Sequence, residues 1–136
     1  MRVLIVDDSE TTRRLLRAIV GSRRWSICGE AENGQAGVQR YEELKPDLVL
    51  IDLALPDMNG IEVGKRMSAL DRTVPLILFT ILDVAGLQTA ARQAGICEVV
   101  SKTNAWALMA SIEAALTHSI EQKQRMRQVS GSGPTK

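Results

Sequence analysis

Apolar residues fall along this chain in two alternating patterns: short β-branched and leucine-rich runs, and longer stretches in which they recur every three or four positions. The runs at residues 3–6, 25–28, 48–52, 75–80 and 98–101 predict five β-strands. The first, third and fourth are apolar without alternation, the habit of strands covered on both faces in a parallel sheet.

Between the runs lie five helical patterns. The first starts near Ser9, carries Leu15, Leu16, Ile19 and Val20 on one side and Arg13, Arg14 and Arg17 on the other, and is expected to stop at Gly21. Asn33 can cap a second helix reaching Leu44, ahead of Lys45 and Pro46, and a third runs from Gly60 to Leu70. Asp83 can cap a fourth ending at Ala94, with Gly95 just beyond it. Asn104 can cap a fifth, whose stripe is Leu108, Ile112, Ala115 or Leu116, and Ile120. Gly37 and Gly86 each cost their helices about 1 kcal/mol relative to Ala, so both lean on tertiary packing. Strand and helix alternate throughout, which predicts an α/β fold. Residues 1–129 read as one domain, and 130–136, rich in Gly and Ser, as a disordered tail.

Composition narrows the function. The 136 residues carry 17 Lys and Arg against 16 Asp and Glu, a net charge of +1. No extended nucleic-acid footprint is expected, since such surfaces usually bring a pI above ~9. No run approaches the ~20 apolar residues needed to cross a bilayer, and no export signal is evident, so a cytoplasmic location and no membrane partner are expected. Cys28 and Cys97 are too few for a disulfide framework and read as small buried apolar fillers.

The candidate chemistry lies at the carboxyl ends of the expected strands. Asp7 and Asp8 follow the first, Asp52 ends the third, Thr80 ends the fourth and Lys102 follows the fifth. Taken singly, each acid is an ordinary helix cap and the lysine an ordinary solvated side chain. In an open parallel sheet, however, strand ends converge on one crevice. Three carboxylates there repel one another unless a cation intervenes, and hard oxygen donors favour Mg²⁺. Asp8 and Asp52 can ligate it directly and Asp7 through water. Asp52 can also attack phosphorus, with Lys102 and Thr80 neutralising and hydrogen-bonding the phosphoryl oxygens.

Residues 3–8, the segment 47–53 with Pro56-Asp-Met-Asn-Gly60, Leu78-Phe-Thr80, Ala94-Gly95 and Lys102 together resemble the receiver domain of two-component response regulators, from Arg2 to about Leu116. The resemblance implies a five-stranded sheet of order 2-1-3-4-5, flanked by five helices. It implies Asp52 as phosphoacceptor, Asp7 and Asp8 as the acidic pair, the Ala54 backbone carbonyl as a further Mg²⁺ ligand, and Thr80 and Lys102 as phosphate sensors. The implied partners are a histidine kinase or phosphotransfer protein as donor, and a downstream protein or second copy on the face of helix four, strand five and helix five. That strand order sets Cys28 and Cys97 at opposite edges, too far apart to pair.

Three positions depart from the resembled pattern. Val99 stands where an aromatic switch residue is usual, Ile81 where a small residue is usual, and Thr103 where Pro is common. Ile81 is expected to narrow the mouth of the site, and Val99 has no ring to rotate. An alternative reading is a degenerate receiver that acts as an unmodified interaction module. A Mg²⁺-dependent phosphatase would need a second acid two residues after the nucleophile, where this chain has Ala54. The three arginines of the first helix form either a solvated face or a kinase-docking face, and Trp106 is either packing or a partner anchor. His118, well along the last helix, is assigned no chemistry.

Overall fold

The computed structural model describes residues 1–82 and 85–132. Five parallel strands, β1 (Arg2–Val6), β2 (Ser26–Ala31), β3 (Leu48–Ile51), β4 (Leu76–Thr80) and β5 (Glu98–Ser101), form one sheet in the expected order β2-β1-β3-β4-β5. The helices are α1 (Glu10–Ser22), α2 (Gly34–Leu44), α3 (Gly60–Leu70), α4 (Gln88–Gln93) and α5 (Ala105–Ser132).

Alternation along the three central strands builds two cores. Leu4, Val6, Val49, Ile51, Leu76 and Leu78 face Tyr41, Val63, Met67 and Ala91 of α2, α3 and α4. Val3, Ile5, Leu48, Leu50, Ile77 and Phe79 face Leu16, Val20, Leu108 and Ile112 of α1 and α5. Both faces are thus apolar, which is why these strands read as unbroken runs. The same parity puts Asp7, Asp52 and Lys102, two residues beyond Ile5, Leu50 and Val100, on the α1/α5 side.

Several expectations need correction. β2 continues to Ala31, three residues further than its apolar run, because on this edge strand Glu30 meets solvent and ions rather than core. Its pairing with β1 jumps from Ile27 to Gly29, leaving Cys28 as the extra residue of a bulge. Gly21 does not stop α1; the chain turns at Arg24, which takes a left-handed φ of 62°. α4 begins at Gln88, after a turn containing Gly86, and has no side-chain cap; the expected cap, Asp83, lies outside the described residues. Gly95 takes a φ of 90° after α4, the conformation expected of it there. Cys97 is exposed rather than a buried filler. On α5 the buried stripe is Leu108, Ile112 and Ala115, whereas Ile120 is exposed. The helix extends to Ser132, and residues 133–136 lie outside the described residues. Among the described residues no helix is long and apolar enough to cross a membrane.

Candidate functional site

Local structure explains how the strand ends present their polar groups. Beyond β1, the Asp7 N–H donates to Ala31 O (2.9 Å), and beyond β3 the Asp52 N–H donates to Val6 O (2.8 Å), so the ladder holds both backbones at the carboxyl end of the sheet. Ser9 caps α1, and its own N–H donates to Asp7 Oδ1 at 2.8 Å. After β3 the chain folds back at once: Ala54 bridges Asn59, and the Gly60 N–H donates to Leu53 O at 2.8 Å. A Cβ at Gly60 would collide with the Asp52 carbonyl oxygen, so the close approach requires glycine. Asp57 fastens this loop to α2 by accepting the Gly34 and Gln35 N–H groups at 2.7 and 2.9 Å, which holds its carboxyl below the usual carboxylate range.

Asp7, Asp8 and Asp52 each offer an oxygen within 4.8 Å of the others. Asp7 and Asp52 are buried and Asp8 is exposed. Lys102 Nζ lies 2.9 Å from Asp7 Oδ2, 3.3 Å from Asp52 Oδ1, 3.5 Å from Thr12 Oγ1 and 6.0 Å from the centre of the Phe79 ring. Burial and then the Asp7 charge push the Asp52 carboxyl above its usual range, opposed by Lys102 and the Ala54 N–H. One cation therefore serves two buried carboxylates. Asp7 Oδ2 is ion-paired with Lys102, but this buried atom has no hydrogen-bond partner. An orphaned buried oxygen, two further hard donors and an open side at Asp8 fit a hydrated divalent ion such as Mg²⁺.

Thr80 is buried at the end of β4, beside this group through the Lys102 N–H, which donates to Thr80 O at 2.7 Å. Its hydroxyl accepts the Leu82 N–H at 3.2 Å and makes no hydrogen bond to Asp52 or Lys102. Ile81, expected to narrow the mouth, is 72% exposed. Cavities of about 490 and 320 Å³ lie elsewhere, around Thr73, the smaller also lined by Cys97 and His118, and one of about 450 Å³ lies against Lys65, Arg72 and Arg92.

A family model described as the response regulator receiver domain matches residues 3–113. The chain belongs to the response regulator receiver family. This receiver is 36% identical over 101 residues to the chemotaxis protein CheY of Thermotoga maritima, covering 74% of this chain and 84% of that protein. It is 37% identical to CheY of Halobacterium salinarum over 101 residues, 74% of this chain and 83% of that one. Among solved structures it is similar to a LuxR-family two-component response regulator from Aurantimonas sp. SI85-9A1, with a TM-score of 0.82, 27% identity, and coverage of 94% of this chain and 97% of that one. Receivers are signalling proteins of two-component and chemotaxis systems, not enzymes in the ordinary sense, and bind Mg²⁺ at an acidic pocket.

What sequence reasoning missed is Arg13. Placed by helical periodicity on the side of α1 opposite its apolar stripe, it is in fact 6% exposed, with Nη1 donating to Asp7 O at 2.6 Å. The signal was present in the acidic residues at 10, 30 and 32, but only the fold brings them to one guanidinium. Trp106, at 84% exposure, is not packing.

Proposed function

We propose that this receiver is a phosphorylation-controlled switch in the cytoplasm, which takes a phosphoryl group onto Asp52 from a phosphohistidine of a histidine kinase or phosphotransfer protein. The observation that carries this reading is the convergence of Asp7, Asp8 and Asp52 within 4.8 Å, with Lys102 bridging two of them. An Asp52 oxygen attacks phosphorus as the P–N bond breaks, and the departing imidazole nitrogen keeps that electron pair and remains protonated at its other nitrogen. Asp8, Asp52 and the Ala54 carbonyl would hold Mg²⁺ directly and Asp7 through water; when bound, the ion offsets charge on the phosphoryl oxygens.

Lys102 then exchanges an Asp52 oxygen for a phosphoryl oxygen. Thr80 turns its hydroxyl to donate to another, releasing the Leu82 N–H it now accepts. That release loosens the segment after β4, which carries the exposed Ile81 and Leu82. Partner choice therefore changes on the face of α4, β5 and α5, for a downstream protein or for a second copy. A relative of 28% identity and TM-score 0.72, the Borrelia burgdorferi CheY, is known from a complex with CheX, beryllofluoride and Mg²⁺, which supports both halves of the reading. Ala54, two residues after Asp52, has no proton to donate, so self-catalysed dephosphorylation is slow.

The test is intact-protein mass after incubation with acetyl phosphate and Mg²⁺, with Asp52→Ala alongside. The expected result is a gain of one phosphoryl group that requires both the ion and Asp52. No gain with this donor or with a phosphohistidine donor overturns the reading in favour of an unmodified interaction module.

A further inference from the structure

Asp8 is the exposed member of the acidic group, and among the described residues its carboxylate makes no hydrogen bond of its own. Its position is therefore set by the backbone, above all by the peptide plane joining Asp7 to Asp8. The Asp7 carbonyl oxygen of that plane is held by Arg13 Nη1 at 2.6 Å. The Asp7 N–H and the Ser9 N–H fix the two sides of the turn, on Ala31 O and Asp7 Oδ1.

The guanidinium is itself held from three directions. Nη2 donates to Glu10 Oε2 at 2.6 Å and to Glu32 Oε1 at 3.4 Å, and Nε lies 3.2 Å from Glu30 Oε1. Arg17 grips Glu30 through Nε at 2.5 Å and Nη2 at 2.6 Å, and reaches Glu10 at 3.1 Å. The planar fork thus links the first turn of α1, the end of β2 and the Asp7 carbonyl. An ammonium on a flexible stem could hold one of these partners but not all of them.

We propose that Arg13 is a positioning residue for the divalent-cation site: by pinning the Asp7 carbonyl to β2 and α1 it presets the direction in which Asp8 presents its carboxylate. The proposal rests on reading Asp7, Asp8 and Asp52 as that site. It differs from a role in stability alone because metal affinity depends on ligand placement even when the fold survives; outer partners of ligands typically change affinity by about 10–100-fold.

The experiment titrates Mg²⁺ calorimetrically into wild type, Arg13→Lys and a surface control, Arg66→Lys, and records the Mg²⁺-free melting temperature and phosphoryl uptake from acetyl phosphate of each. Arg13→Lys keeps the charge and loses the fork. Its Mg²⁺ affinity is expected to fall on the order of tenfold, with uptake recovered at saturating Mg²⁺ and Arg66→Lys unchanged in both. Affinity within twofold of wild type, whatever the melting temperature, overturns the proposal. If Arg13→Lys does not fold, Glu10→Ala takes its place, since it frees one arm of the same fork from a half-exposed partner; unchanged affinity there overturns the proposal equally. Wild type that binds Mg²⁺ but takes no phosphoryl group defeats the switch reading and leaves the role of Arg13 standing. Wild type that binds no Mg²⁺ defeats both.

Discussion

The two edges of the sheet are built on opposite terms. At the β2 edge, α1 is 13 residues long, capped by Ser9, seated on Leu16 and Val20, and tied to β2 through Arg13, Arg17, Glu10, Glu30 and Glu32. At the β5 edge, α4 has six residues, no side-chain cap and only Ala91 buried, and Ile81 and Leu82 after β4 and Trp106 in the first turn of α5 stand in solvent. A helix of that length has little stability of its own. Acidic ligands need fixed geometry, whereas a readout needs segments that can rearrange at small free-energy cost. Under the proposed function, metal placement draws on the first edge and signalling on the second, with Asp52 just beyond the central strand β3.

The sharpest way to break the contrast is to cut the tie at the β2 edge. Arg13→Met removes the cation and leaves the Asp7 carbonyl and three carboxylates facing one another. Urea unfolding is expected to show a loss of about 2–3 kcal/mol, below the roughly 3–5 kcal/mol of a fully buried pair because Glu10 and Glu32 reach solvent. A loss under ~0.5 kcal/mol would mean the edge is not tied by these charges.

A smaller effect reads the same edge through pH. Arg17 first, and Arg13 by charge alone, hold the Glu30 carboxyl below its ordinary value of 4.5. A depressed carboxylate stabilises the fold above its unfolded value, and that stabilisation is lost as pH falls through the folded one. Glu30→Gln should therefore be less stable than wild type at neutral pH, by at most about 1 kcal/mol, and the gap should close as pH drops below 4.5. Melting temperatures recorded across that window check both the size and the sign; a gap that widens in acid would contradict the assignment.

The chain announced the central sheet and the charged members of the site because both depend on patterns local in sequence. Two-sided burial makes β1, β3 and β4 apolar without interruption, and each functional acid directly follows such a run. Edges were harder to read. β2 ends in Gly29, Glu30 and Ala31, whose strand character comes from pairing with β1 across a bulge rather than from apolar content. Arg13 lies on the polar side of α1 by periodicity and is buried only because β2 returns beside that helix with Glu30 and Glu32. Trp106 was ambiguous for the converse reason, since an aromatic in a first turn packs inward only when a neighbour covers it. Thr80 falls between: its place at the end of β4 was legible, but its bond to the Leu82 N–H was not.

The smallest effect on stability tests the other edge. At 84% exposure Trp106 buries little, so Trp106→Ala should change unfolding free energy by less than about 0.5 kcal/mol. A large aromatic held in solvent loses nothing to the fold when removed, but it can supply much of the energy of a contact, since aromatic anchors at interface centres are worth about 2 kcal/mol or more. Binding to a partner that reads the phosphorylated state, or self-association measured by sedimentation, should therefore weaken by more than tenfold while the melt stays in place. If instead the melt drops and association holds, Trp106 belongs to the core of the domain, and the β5 edge is as tied down as the β2 edge.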